Sequence, residues 1–82
     1  MSDEIISNKS REEKLIRIGL NIRKLRRARD ITQDDLAKAL KVSRSTIGCI
    51  ESKTNPYRIS IDLLLDITEY FGISPSELFE GV

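Results

Sequence analysis

The sequence predicts an all-α fold: one compact domain of five helices. Two observations carry this. Apolar residues recur at spacings of three and four along most of the chain. A residue able to cap a helix, Ser10, Thr32, Ser43, Ser60 or Ser74, stands before each of the five periodic stretches. A chain of 82 residues makes one domain, and at that size only about 60–65% of the unfolded surface is buried, so the core is small and a partner chain would add stability.

Residues 1–9 are polar, with Ile5 and Ile6 their only apolar feature, and read as a flexible arm preceding a domain over 10–82. Ser10-Arg11-Glu12-Glu13 has the form of a capping box and opens a helix over 11–29, with Leu15, Ile18, Ile22 and Leu25 as its inner stripe. Asp30 ends it. Thr32 caps the second helix, Asp35 places a carboxylate in its first turn, and Leu36, Ala37 and Leu40 face inward. The chain breaks at Lys41-Val42-Ser43, and Ser43 caps a third helix over 44–52. On a wheel of about 100° per residue, Ile47 and Ile50 fall on one side of this helix. Arg44, Ser45, Gly48, Cys49 and Ser52 fall on the other, with Arg44 the only large residue among them. Such a helix is built to be held from behind and pressed against something polar and close.

A loop follows, in which Pro56 biases Asn55 away from helix. Ser60 caps a fourth helix over 61–71, ended by Gly72. Leu64, Ile67 and Phe71 suit its core face, while Leu63, Leu65 and Tyr70 widen the apolar surface beyond one stripe. Ser74-Pro75-Ser76-Glu77 is a second capping-box sequence with Pro at the first helical position, starting a short helix that carries Leu78 and Phe79.

Composition removes several classes of function. There is no histidine, only one cysteine, Cys49, and four isolated glycines. A Ser-His-Asp centre, a His- or Cys-built metal site and a glycine-rich phosphate loop are therefore excluded. The expectation is a binding module with no catalytic residue, metal or cofactor. No apolar run approaches the ~20 residues of a membrane span, the start lacks the form of a signal peptide, and a lone cysteine suits a reducing compartment, so a cytoplasmic protein without a membrane partner is expected. Net charge is only +1, but residues 1–58 hold all 14 Lys and Arg against 8 acids, and residues 59–82 hold 5 acids and no cation. That division suits one face turned to a polyanion and another kept away from it.

The segment 33–52, together with its flanks, resembles the helix-turn-helix of the Cro/CI-type (XRE) family of transcriptional regulators. The likeness rests on Gln33, Leu36-Ala37, Val42, Ile47 and the closing Ile50-Glu51, with Ile22 to Arg26 before them and Ile73 to Phe79 after. It runs from about Ile18 to Phe79, and several matched elements in the right order make a specific signal. The resemblance implies a lambda-repressor-like domain that binds double-stranded DNA, reading the major groove with helix 44–52 as a homodimer on a palindromic operator. It implies base contacts from Arg44, Ser45, Thr46 and Cys49, with Arg44 foremost, and phosphate contacts from Gln33, Ser43, Lys53, Thr54, Asn55, Tyr57 and Arg58. It pairs Arg26 with Glu51. Leu65, Tyr70, Leu78 and Phe79, apolar in a cation-free segment, are the expected dimer interface. Asp30, Lys41 and Lys53 stand where the family usually has glycine, which predicts left-handed backbone at non-glycine residues. A second class of function fits the same fold: a protein-interaction module that does not bind specific DNA, permitted by the small residues 45, 48, 49 and 52.

Overall fold

The computed structural model describes the backbone of residues 8–82 and side chains from Ser10 onward. Five helices follow one another: α1 Asn8–Ala28, α2 Gln33–Leu40, α3 Arg44–Ile50, α4 Ile61–Phe71 and α5 Pro75–Leu78. No strand occurs among the described residues, and none of their helices is long and apolar enough to cross a membrane. The expectation for Ile5 and Ile6 lies outside the described residues.

Three of the expected caps form. Thr32 Oγ1 accepts from Asp35 N at 3.0 Å while Asp35 Oδ2 accepts from Thr32 N at 3.2 Å, a reciprocal capping box. These bonds hold the Asp35 carboxyl below the usual carboxylate range. Ser43 and Ser60 accept from Thr46 N and Leu63 N. Two expected caps do not form. α1 runs straight through Ser10, taking in Asn8 and Lys9 from the expected arm. A cap sequence starts a helix only where the preceding residues leave helical dihedrals, and nothing in Asn8-Lys9 forces them to. Ser74 makes no side-chain cap; its hydroxyl bonds that of Ser76 at 2.8 Å instead.

The ends of α1, α2 and α4 are built alike. Ile31, Val42 and Ile73 each donate to the carbonyl five residues back, and Asp30, Lys41 and Gly72 each donate to the one three back. This is the Schellman closure, which needs a left-handed residue. Gly72 adopts it with φ 68°. Asp30 and Lys41 adopt it at φ 55° and 60° despite their side chains, as the sequence predicts. Lys53 does not: these two are the only non-glycine residues with positive φ among those described. The segment after α3 turns by another device, in which Ser52 Oγ accepts from Thr54 N and Asn55 N.

Every helix feeds one core. Ile18 and Ile22 come from α1, Leu36 and Ala37 from α2, Ile47 and Ile50 from α3, Leu64, Ile67 and Phe71 from α4, and Leu78 from α5. Leu15 and Leu25 of the expected α1 stripe are only half-buried. Leu78 corrects an expectation: it is wholly enclosed and cannot form part of a dimer surface. It and Phe79 are neighbours on a single turn, about 100° apart, so one points inward and the other out. Asn21 of α1 secures that turn by donating to the carbonyls of Leu78 at 2.7 Å and Glu80 at 2.9 Å. Leu63, expected on the widened surface, packs on the core instead. Ile61, Leu65, Tyr70 and Phe79 remain exposed.

The buried charges are paired. Arg26 Nε donates to Glu51 Oε2 at 2.7 Å and Nη2 to Oε1 at 2.9 Å, while Nη1 reaches the carbonyl of Ile31 at 2.7 Å. Both residues are buried, and hydrogen bonding to Glu51 is the main reason the Arg26 guanidinium is pushed above its usual pKa. Removing one partner of such a pair strands the other charge. Arg26→Met is therefore expected to destabilise the protein by about 3–5 kcal/mol in urea melts, and Arg26→Met/Glu51→Leu together by clearly less. A double variant no better than the single one would show that Glu51 tolerates burial alone. Lys41→Gly should stabilise by roughly 0.5–1 kcal/mol, a rise in Tm of about 2–8 °C, because glycine takes the left-handed conformation without a side-chain penalty. A lowered Tm would contradict this.

Candidate nucleic-acid interface

α3 is only seven residues long, too short to be stable unsupported. It is fixed from behind by Ile47 and Ile50, both buried, and from its start by Ser43. Its outer face then presents Arg44, Ser45 and Cys49, all exposed. Arg44 makes no hydrogen bond or ion pair among the described residues, so its guanidinium is free to meet a partner. Cys49 is a free, exposed thiol, as the wheel predicts. Thr46 is less available: it is half-buried, and its hydroxyl bonds that of Ser43 at 2.8 Å.

Gly48 lies on the same face. A Cβ built there would meet nothing within 4 Å, so packing does not require a glycine. A mid-helix glycine costs about 1 kcal/mol relative to alanine. What it supplies is a backbone that something outside the protein can approach closely.

The flanks of this face carry the remaining expected residues. Lys53, Thr54, Asn55 and Arg58 are exposed along the loop after α3, whose course is fixed by the two hydrogen bonds to Ser52. Tyr57 is half-buried and packs its side chain against the core. Gln33, first residue of α2, is half-buried and donates from Nε2 to Glu51 Oε1 at 3.1 Å. It is thus tied to the Arg26–Glu51 pair rather than loose on the surface, a link that no local sequence rule displays. Asp34, just after it, is paired with Lys38 of α2 at 3.1 Å, while Arg44, Lys53 and Arg58 supply cations at the start of α3 and along the loop. Among the described residues no group of His, Cys, Asp and Glu is arranged to hold a metal ion.

The geometry is that of two short helices held at a tight turn, with the second one offering a mostly small polar face. Comparison with known proteins agrees. A helix-turn-helix family model matches residues 22–78. An uncharacterised HTH-type transcriptional regulator of Methanocaldococcus jannaschii is 42% identical over 50 residues, 61% of this chain and 73% of that protein. The crystal structure of the restriction-modification controller protein C.AhdI from Aeromonas hydrophila matches with a TM-score of 0.71 at 31% identity, covering 79% of this chain and 96% of that one. The chain belongs to the helix-turn-helix (XRE, Cro/CI-type) family of DNA-binding transcriptional regulators.

Proposed function

We propose that the protein is a homodimeric repressor or autoregulator that reads a palindromic operator with α3. The observation that carries this is the outer face of α3: rigidly seated, open at Gly48, and bearing an uncommitted Arg44. Arg44 offers two donors to guanine O6 and N7, and Ser45 lies within the same turn to reach a neighbouring base edge. Cys49, one turn further on, presents a small apolar sulfur suited to a thymine methyl. Thr46, half-buried and with its hydroxyl shared with Ser43, is the least accessible of the four. Lys53, Thr54, Asn55 and Arg58 follow the phosphates of the adjoining backbone, with the Tyr57 hydroxyl, Ser43 and Gln33 supplementing them. Gln33 retains a second amide hydrogen for a phosphate while the first holds Glu51.

The dimer reading rests on Ile61, Leu65, Tyr70 and Phe79, which stay exposed in a segment without a Lys or Arg. Burying them against a second copy removes apolar surface from water, and the acidic segment stays clear of the phosphates while the basic part faces them. Repression follows from occupancy of a site that transcription needs. The match to a restriction-modification controller favours control of the protein's own gene or of its neighbours, read out by a reporter driven from the selected site.

Selection of binding sites from random duplexes tests the whole proposal. The expected product has two-fold symmetry, with half-site centres ~10 bp or a multiple of one helical turn apart. An asymmetric site, or a protein monomeric both free at micromolar concentration and on DNA, would refute the dimer. Failure to bind any duplex in a salt-dependent way would favour the protein-interaction module instead.

Two substitutions separate reading from positioning. Arg44→Ala should cost about 1–3 kcal/mol on the selected site and relax preference at one base pair per half-site. Arg58→Ala should weaken all sequences alike and make the salt dependence shallower. Equal loss on specific and random duplexes in Arg44→Ala would make Arg44 a phosphate contact.

A further inference from the structure

Gly19 lies in the middle of α1 and is buried. Glycine is among the poorest helix formers, yet here it occupies a mid-helix position with ordinary helical backbone. The reason is across the interface with α3. A Cβ at Gly19 would overlap the carbonyl oxygen of Ile50, lie 3.0 Å from the carbonyl carbon and 3.7 Å from Glu51 Cα. All three are backbone atoms, so no side chain can rotate out of the way.

Ile50 is the last residue of α3, and its carbonyl is one of those that an α-helix leaves without an internal partner. Gly19 lets α1 meet that carbonyl with its own Cα, a close contact of the kind seen where helices touch through glycine. Arg26 stands seven residues further along α1, two turns on and on the same face. It grips Glu51, the residue after Ile50. Ile22 lies between the two points, fully buried. α1 therefore holds the end of α3 by backbone at Gly19 and by charge at Arg26.

We infer that Gly19 is a positioning residue for DNA reading: by admitting the α3 terminus against α1, it sets the angle at which Arg44, Ser45 and Cys49 meet the bases. A side chain at 19 pushes the end of α3 away while Arg26 still holds Glu51, so the helix tilts rather than detaches. The basic surface that attracts any duplex is unchanged by such a tilt. Base discrimination is not, because bidentate contacts depend on direction. The inference rests on the role proposed for α3, and its test therefore includes a measurement made without DNA.

Gly19→Ala is made in an Asp30→Gly/Lys41→Gly host, which relieves both left-handed non-glycine positions and offsets lost stability. Two probes are used: the duplex selected by the unmodified protein, and a duplex of random sequence. Against the host, affinity for the selected duplex is expected to fall about tenfold or more, with affinity for the random duplex held within about twofold and the salt slope unchanged. Residual dipolar couplings of the free proteins should show α3 tilted relative to α1 in the variant. Retained preference for the selected duplex, equal loss on both duplexes, an unaltered α3 orientation, or a variant that fails to fold even in this host would each overturn the inference; the last would make Gly19 a residue of the fold alone. If the unmodified protein binds no duplex, the reading of α3 fails, and the couplings alone decide whether Gly19 sets its orientation.

Discussion

The guanidinium of Arg26 is the charged anchor that ties the end of α3 to α1 and to the start of α2. It joins the last turns of α1 to the carbonyl of Ile31, ahead of α2, and to both oxygens of Glu51 after α3. Gln33 closes the set from the start of α2. A carboxylate at the end of a helix is unfavourable to the helix dipole, and burying it adds a desolvation cost. Glu51 is acceptable there only because Arg26 is present. The pair contributes geometry more than net stability, since apolar replacements for buried ion pairs are often no worse. A seven-residue helix has no other means of keeping a fixed direction than what is behind it.

The same economy appears in the backbone. Three helices end in one closure, and in each the residue after the left-handed position, Ile31, Val42 or Ile73, is apolar and packs on the core. That packing is what forces Asp30 and Lys41 into a conformation their side chains disfavour. The turn between α2 and α3 is thereby kept to three residues, which is what brings the two helices to their angle. The left-handed Lys41 and the burial of Val42 are therefore parts of one arrangement: glycine at 41 would keep the closure, whereas losing the packing of Val42 would loosen the placement of α3.

α2, α3 and α4 were legible because caps and apolar spacing agreed at Thr32, Ser43, Ser60 and Gly72; α1 and α5 were legible from apolar spacing and Pro75 alone. The outer face of α3 was legible for the same reason, since Ile47 and Ile50 define its back. What was not legible depended on a neighbour far along the chain. Leu78 and Phe79 sit on one turn, and no periodicity decides which of them faces inward; the tie from Asn21 of α1 to the carbonyls of Leu78 and Glu80 fixes that turn. Arg26 and Glu51 are 25 residues apart, and only the family resemblance joined them. Gln33 could be placed at the front of α2, but not on Glu51. Ser10 looks like a cap by its own four residues, but the helix already includes Asn8 and Lys9 before it. Lys53 was expected to be left-handed because of its position, but Ser52 supplies another way to turn.

Two glycines on adjoining helices show how function and fold divide the work. Gly48 has open space where a side chain would go, and Gly19 has a carbonyl. The first is not required by packing within the protein, and the second is required by the close approach of α3. Together they leave the backbone of the short helix open on its outer side and in close contact with α1 on its inner side. With one long side chain, Arg44, and otherwise short ones, the outer face has little reach with which to correct a misplaced helix. A flexible, long-armed surface could absorb a shift of an ångström by changing rotamers; this one cannot. If α3 reads bases as proposed, its discrimination comes from where its backbone is held, and that is set at the buried end of the helix.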